Sequence, residues 1–211
     1  MINKILEKIA GTSKVDEKEQ QQMIEQELEK LLAGPPQPDL RVIGLFSDVS
    51  DEKVAELIHA LIYLDEVNRI TKDDKPVEFY ISTYGGSADD MFGMYDIMRV
   101  IRERTEIHTF GLGKVMSAGV LLLASGTKGK RCIGKNCRVM VHSVIGGTQG
   151  PLHNLMNEME AIEQIQKMYS DALVAETNMT KKDLKKLLER KVNVYLSAEE
   201  AVELGIADII V

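Results

Sequence analysis

Apolar residues recur along the chain with two periods, and the switches between them outline the elements. In "MINKILEKIA" (1–10), Ile2, Ile5, Leu6 and Ile9 share one helical face, and Gly11 ends that turn. Ser13 can cap a second helix over about 14–33, which carries Met23, Ile24, Leu28, Leu31 and Leu32 among many charges. "GPPQPD" (34–39) then breaks the pattern, because Pro35, Pro36 and Pro38 lack the backbone N–H that a helix needs. The chain therefore divides into an N-terminal helical extension with a Pro-rich linker, 1–39, and a domain, 40–211.

From residue 40 onward, short apolar runs alternate with longer stretches of helical period. Strands are expected at "LRVIGLF" (40–46), "VEFYIS" (77–82), "IHTFGLG" (107–113), "RVMVH" (138–142), "VYL" (194–196) and "IADIIV" (206–211). Helices are expected at 51–66, 88–103, 117–125, about 152–177, 180–190 and 197–205. Ser50 is the expected cap of the first, which turns Val54, Leu57, Ile58, Leu61 and Leu64 inward. Met91, Met94 and Met98 form a core stripe on the second rather than a metal site. Gly205 closes the last. Strands interleaved with helices predict an α/β fold with a largely parallel sheet.

Composition narrows the function classes. The chain has 211 residues, 44% of them apolar, enough for one domain with a sizeable core. Net charge is −7 and no dense Lys/Arg cluster occurs, which argues against a nucleic-acid surface. The longest apolar run, "GVLLLA", is too short to span a bilayer, and the N-terminus has no signal-peptide core. A soluble cytoplasmic protein is expected, with no membrane partner. Cys132 and Cys137 are not spaced as CxxC, and only four histidines accompany them. They read as small apolar side chains in a reducing compartment. With no Walker loop and no metal-ligand cluster, no metal, nucleotide or organic cofactor is expected, and any ATP use belongs to a partner.

Three features carry candidate chemistry. "YGG" (84–86) lies where a strand hands over to a helix, so its backbone can approach a ligand and offer N–H groups to an oxyanion. Ser117, in "KVMSAGVLLLASG" (114–126), lies at another such junction beside the free N–H of Ala118. Its hydroxyl is either a plain helix cap or a nucleophile. His142 ends an apolar strand. Singly, each has an ordinary structural reading. Jointly they are the parts of an acyl-transfer site: a hydroxyl, an imidazole to take its proton, and two N–H donors.

From about Arg41 to Val211 the sequence resembles the proteolytic subunit of the Clp protease, ClpP. The resemblance rests on "FYISTYGGS", "SAGVLLLASGTKGKR", "RVMVH" followed by "IGGTQG", and "YLSAEEAVELGIAD", in that order and spacing. It implies the ClpP/crotonase fold, with repeated β-α units and a protruding handle at about 146–177. It also implies stacked seven-membered rings around a chamber, and hydrolysis of peptides or unfolded proteins by a serine nucleophile. A possible AAA+ unfoldase partner follows. The family's serine matches Ser117, its histidine His142, and its oxyanion donors the N–H groups of Gly86 and Ala118.

The chain departs from the family at three places. The third triad member, usually an aspartate, is Asn193 here. Asparagine can orient an imidazole but supplies no negative charge, and the corresponding Asp→Asn change in chymotrypsin-type enzymes, a standard example, costs about 10⁴-fold in kcat. Glu189 is an alternative carboxylate. An arginine often found just before the aspartate is replaced by Val192, which bears on ring–ring coupling. Residues 1–39 do not look like the family's axial loops. The primary reading is a serine endopeptidase with a Ser–His–Asn triad of reduced activity. The alternative is a weak or inactive ring subunit that modulates an active paralogue in a mixed ring. A crotonase-type acyl-CoA enzyme ranks last, on fold analogy alone.

Overall fold

A computed structural model of the chain describes residues 21, 22, 25, 39–188 and 193–211. The helices expected over 1–10 and 14–33 lie outside these residues except at 21, 22 and 25, and so do Glu189 and Val192. Arg41–Val211 packs as one unit.

Its elements run β1 (Val42–Leu45), α1 (Asp51–Thr71), β2 (Val77–Thr83), α2 (Ala88–Ile101), β3 (Ile107–Met116), α3 (Ala118–Ala124), β4 (Cys132–Ile133), β5 (Arg138–Val141), α4 (Leu152–Glu176), α5 (Lys181–Leu188), β6 (Val194–Leu196), α6 (Ala198–Glu203) and β7 (Ile209–Ile210). The sheet order is β1-β2-β3-β4-β7, all parallel, with β5 on β3 and β6 on β5. Among the described residues, only the β5–β6 pair is antiparallel. The expected α/β architecture with a largely parallel sheet is therefore present.

β3 is the branch point that positions the site. Its Phe110 and Gly111 pair with β4, whereas Lys114, Val115 and Met116 pair with β5. Gly113 sits between the two sets at φ +65°, a left-handed conformation that a side chain would disfavour. The strand thus changes neighbours midway, and its far end delivers Ser117 next to β5. α3 follows at once, and all seven of its residues are buried. The apolar run "AGVLLLA" is a core helix because it is hydrophobic all round.

Four local expectations need correction. α1 runs five residues beyond its expected end at 66, to Thr71, because its last turns are held by buried polar contacts. Thr105 donates its hydroxyl to Asp65 (2.9 Å), and Asn68 donates to Thr105 (3.0 Å) and to the Lys75 carbonyl (2.9 Å). Ser50 stands at the N-cap of α1, but its side chain makes no cap bond; Asp51 and Glu52 complement the first turn instead. β4 was not expected, since two residues carry no period. The last strand shrinks to Ile209–Ile210. By contrast, α6 starts on a full capping box between Ser197 and Glu200 and ends at Gly205, φ +72°.

The C-terminal end of α4 is locked by charge. Glu176 is buried and accepts hydrogen bonds from Arg102 (2.7 and 2.9 Å) and Tyr95 (3.0 Å), with Lys128 at 3.2 Å. Burial alone would raise the Glu176 carboxyl, but the bond and charge of Arg102, with Lys128, outweigh it and hold it below its ordinary value. Arg131, itself buried, donates to the Glu176 carbonyl (2.7 Å) and through Nε to Asp208 (2.7 Å).

Candidate active site

Ser117 stands at the N-cap of α3 with φ +54° and ψ −122°. A non-glycine residue there is strained, and the surroundings hold it. Its N–H donates to the Met140 carbonyl on β5 (2.8 Å), and its carbonyl accepts from Val120 N–H (3.0 Å) and from the Tyr169 hydroxyl (3.0 Å). The hydroxyl makes no cap bond. The plain-cap reading of Ser117 therefore does not hold.

The glycine pair comes against this turn for steric reasons. Gly85 has φ +104°, and a Cβ there would lie 2.6 Å from Ser117 Cβ. Gly86 has φ +151°, and a Cβ would lie 2.2 Å from the Val49 carbonyl oxygen. Val49 clasps this loop, donating to the Gly85 carbonyl (2.8 Å) and accepting from Ser87 N–H (2.9 Å). Thr83 Oγ1 accepts the Gly85 N–H (3.0 Å). Among the described residues, the N–H groups of Gly86 and Ala118 donate to no acceptor.

His142 follows the last residue of β5. It lines, together with Gly86, Ser117 and Ala118, one cleft of about 370 Å³. The walls are Ser87, Ala88, Met91, Val144, Ile145, Ile165 and Tyr169. Its Nδ1 faces the Ser143 carbonyl at 2.5 Å. A carbonyl only accepts, so Nδ1 carries a hydrogen, and in the neutral imidazole the lone pair is then on Nε2.

Asn193 is not among the cleft's lining residues. The β5–β6 register pairs Val139 with Leu196 and Val141 with Val194, so one step further it sets Asn193 opposite His142. Asn193 is exposed, and among the described residues it makes no hydrogen bond to the imidazole. Four of the five expected site residues thus meet in one cleft, and the fifth sits one register step beyond a strand pair that ends beside it.

Other contributors come from distant sequence. Gln166 accepts the Val144 N–H (2.7 Å), which seats the segment after His142 on α4. Tyr169 is buried and reaches Ser117. Both belong to the inward face of α4. Its apolar spacing, Ile165, Tyr169, Ala172 and Leu173, gave a signal of burial but none of what the hydroxyl touches. Cys132 and Cys137 are buried free thiols. Burial pushes the Cys137 thiol up to about 11, so it stays protonated and is a poor nucleophile. No three His, Cys, Asp or Glu side chains gather to hold a metal among the described residues. No helix among them is long and apolar enough to cross a membrane.

Chemically, a strained serine, an imidazole with a free Nε2 and two unengaged amides around one cleft can carry out acyl transfer. The family model described as Clp protease matches residues 38–211. ATP-dependent Clp protease proteolytic subunit 1 of Prochlorococcus marinus (strain MIT 9312) is 31% identical over 170 residues, covering 81% of this chain and 83% of that protein. ATP-dependent Clp protease proteolytic subunit 2 of Corynebacterium jeikeium (strain K411) is 32% identical over 169 residues, covering 80% and 77%.

Proposed function

The chain belongs to the Clp protease family, and from that premise we propose that it is a serine endopeptidase, the proteolytic subunit of an ATP-dependent protease in the cytoplasm. The fold is the ClpP/crotonase fold. The observation that carries the proposal is the meeting of Ser117, His142 and the unengaged Gly86 and Ala118 amides in one cleft.

Ser117 Oγ attacks the scissile carbonyl while His142 Nε2 takes its proton. The Gly86 and Ala118 amides receive the oxyanion. His142 then protonates the leaving amine, and water hydrolyses the acyl-enzyme by the same route. Asn193 is the third member. The Ser143 carbonyl sets the tautomer of His142, and Asn193, one register step beyond the β5–β6 pair, would add orientation without charge only on closing onto the imidazole, so the turnover is slow. Stacked heptameric rings would enclose the site, with the exposed N-terminal half of α4 as the contact between rings. Unfolded protein would be fed in by an AAA+ unfoldase.

A second reading is favoured by one observation: Nδ1 faces a neutral carbonyl rather than a carboxylate. On that reading the chain is a weak or inactive subunit of a mixed ring. Peptide cleavage by the purified protein, abolished by Ser117→Ala, supports the first reading. Fluorophosphonate labelling separates the two: an adduct on assembled wild type and not on Ser117→Ala is expected, and its absence overturns the peptidase.

A further inference from the structure

Tyr169 projects from α4 into the floor of the cleft with 4% of its surface exposed. Its hydroxyl donates to the carbonyl of Ser117 at 3.0 Å. That carbonyl belongs to the peptide between Ser117 and Ala118. The peptide is trans and planar, so its C=O and the Ala118 N–H point in opposite directions as one rigid unit. Whatever fixes the carbonyl aims the amide.

We propose that Tyr169 is a positioning residue for the oxyanion hole: its hydroxyl pins and polarises the Ser117–Ala118 peptide, so that the Ala118 N–H is held toward the developing oxyanion. The inference rests on the reading of Ser117 as nucleophile, and adds a residue 52 positions away in sequence.

Two features of the site call for such a contact. Ser117 holds φ +54°, outside the favoured wells, so its flanking peptide needs an external restraint. The helix's own bond, Val120 N–H to the same carbonyl at 3.0 Å, pulls from the α3 side only. Tyr169 supplies the second lone pair's partner from the opposite element. Hydrogen bonding at the carbonyl also strengthens the N–H of the same amide as a donor, since bonds in a chain polarise one another. Burial raises the phenol well above its ordinary value, so the hydroxyl keeps its proton and remains a donor across the working pH range. Gln166, one turn earlier on α4, holds Val144 after His142 in the same way. One helix face thus restrains the flanks of both reacting residues.

The test uses the full chain and Tyr169→Phe, which keeps the ring and removes the hydroxyl. A buried hydrogen bond lost from a transition-state donor corresponds to about a tenfold rate loss. The expected result is kcat down about tenfold with KM within twofold. The affinity for a peptide aldehyde, whose hemiacetal oxyanion occupies the hole, should fall by the same factor. Ring assembly should be unchanged. Tyr169→Met, a second hydroxyl-free variant that fills space adaptably, should show the same split, and it decides the matter if the phenylalanine variant does not fold. Wild-type kcat in these variants, or a lower kcat with undiminished aldehyde affinity, overturns the inference alone. A wild type that neither cleaves peptides nor takes up a fluorophosphonate overturns the nucleophile reading and this inference with it.

Discussion

At Ser117 the backbone decides what the hydroxyl can do. A serine at a strand-to-helix junction usually caps the helix, yet here φ +54° turns the side chain away from that task. The cost of this conformation is met by contacts from three elements: Met140 on β5, Val120 on α3 and Tyr169 on α4. Gly85 makes room for it. Gly85→Ala should therefore lower kcat by about 10²-fold, because its Cβ would fall 2.6 Å from Ser117 Cβ and displace the Ser117 hydroxyl. It should also destabilise the fold by about 1–3 kcal/mol, since alanine at φ +104° is strained. Peptide kinetics and chemical denaturation read the two effects. Asn193 gives a prediction of the opposite sign. An aspartate there, one register step beyond Val194 and opposite His142, would stabilise the imidazolium of the transition state. Asn193→Asp should raise kcat at least tenfold while Asn193→Ala lowers it. Equal rates in all three would remove residue 193 from the mechanism.

At the scale of elements, the chain uses polar contacts where its apolar stripes run out. The last turn of α1 depends on Asp65, Asn68 and Thr105, and the end of α4 on Glu176. Glu176→Gln would leave Arg102 and Lys128 facing a neutral amide. With Arg102 about a quarter exposed, the loss should be roughly 3 kcal/mol in denaturant unfolding. The pH dependence follows from the same group. Its folded carboxyl titrates below the ordinary value of 4.5, so its stabilisation is fully present above that value. It drains away as pH falls from 4.5 through the lowered folded value, and Asp208, held low by Arg131 against its own burial, drains in the same direction below 3.8. Glu176→Gln should flatten the acid limb of the stability curve. An unchanged limb would mean that other carboxylates govern acid unfolding.

At the scale of the whole molecule, α4 has two unlike halves. Its 25 residues span about 37 Å. The C-terminal half packs against the site, while the N-terminal half leaves Leu152, Met156 and Met159 more than half exposed at i, i+4 and i+7 on one face. An exposed apolar stripe on one helix face is what the proposed contact between rings would bury. If α4 makes the proposed ring contact, Met156→Glu with Met159→Glu should shift the protein to smaller species and depress peptide cleavage, as read by sedimentation velocity alongside kinetics. A variant that keeps the wild-type mass would remove this stripe from the proposed contact.

Much of the local architecture was already legible in the sequence. Period two marked β2, period 3.6 marked α1 and α2, and Gly205 with Ser197 bounded α6, because propensity, capping and burial act over a few residues. The four blocks around Gly86, Ser117, His142 and Leu196 carried the family. What sequence alone left open were relations between distant segments. Whether the Ser117 hydroxyl caps α3 turned on a φ angle imposed by neighbours. That β3 changes partners at Gly113, that Val49 clasps the Gly85–Gly86 loop, and that Tyr169 meets the Ser117 carbonyl are all long-range pairings. No local preference encodes them; they arise only when the sheet and α4 close around one core, and it is that closure which turns four separate residues into one site.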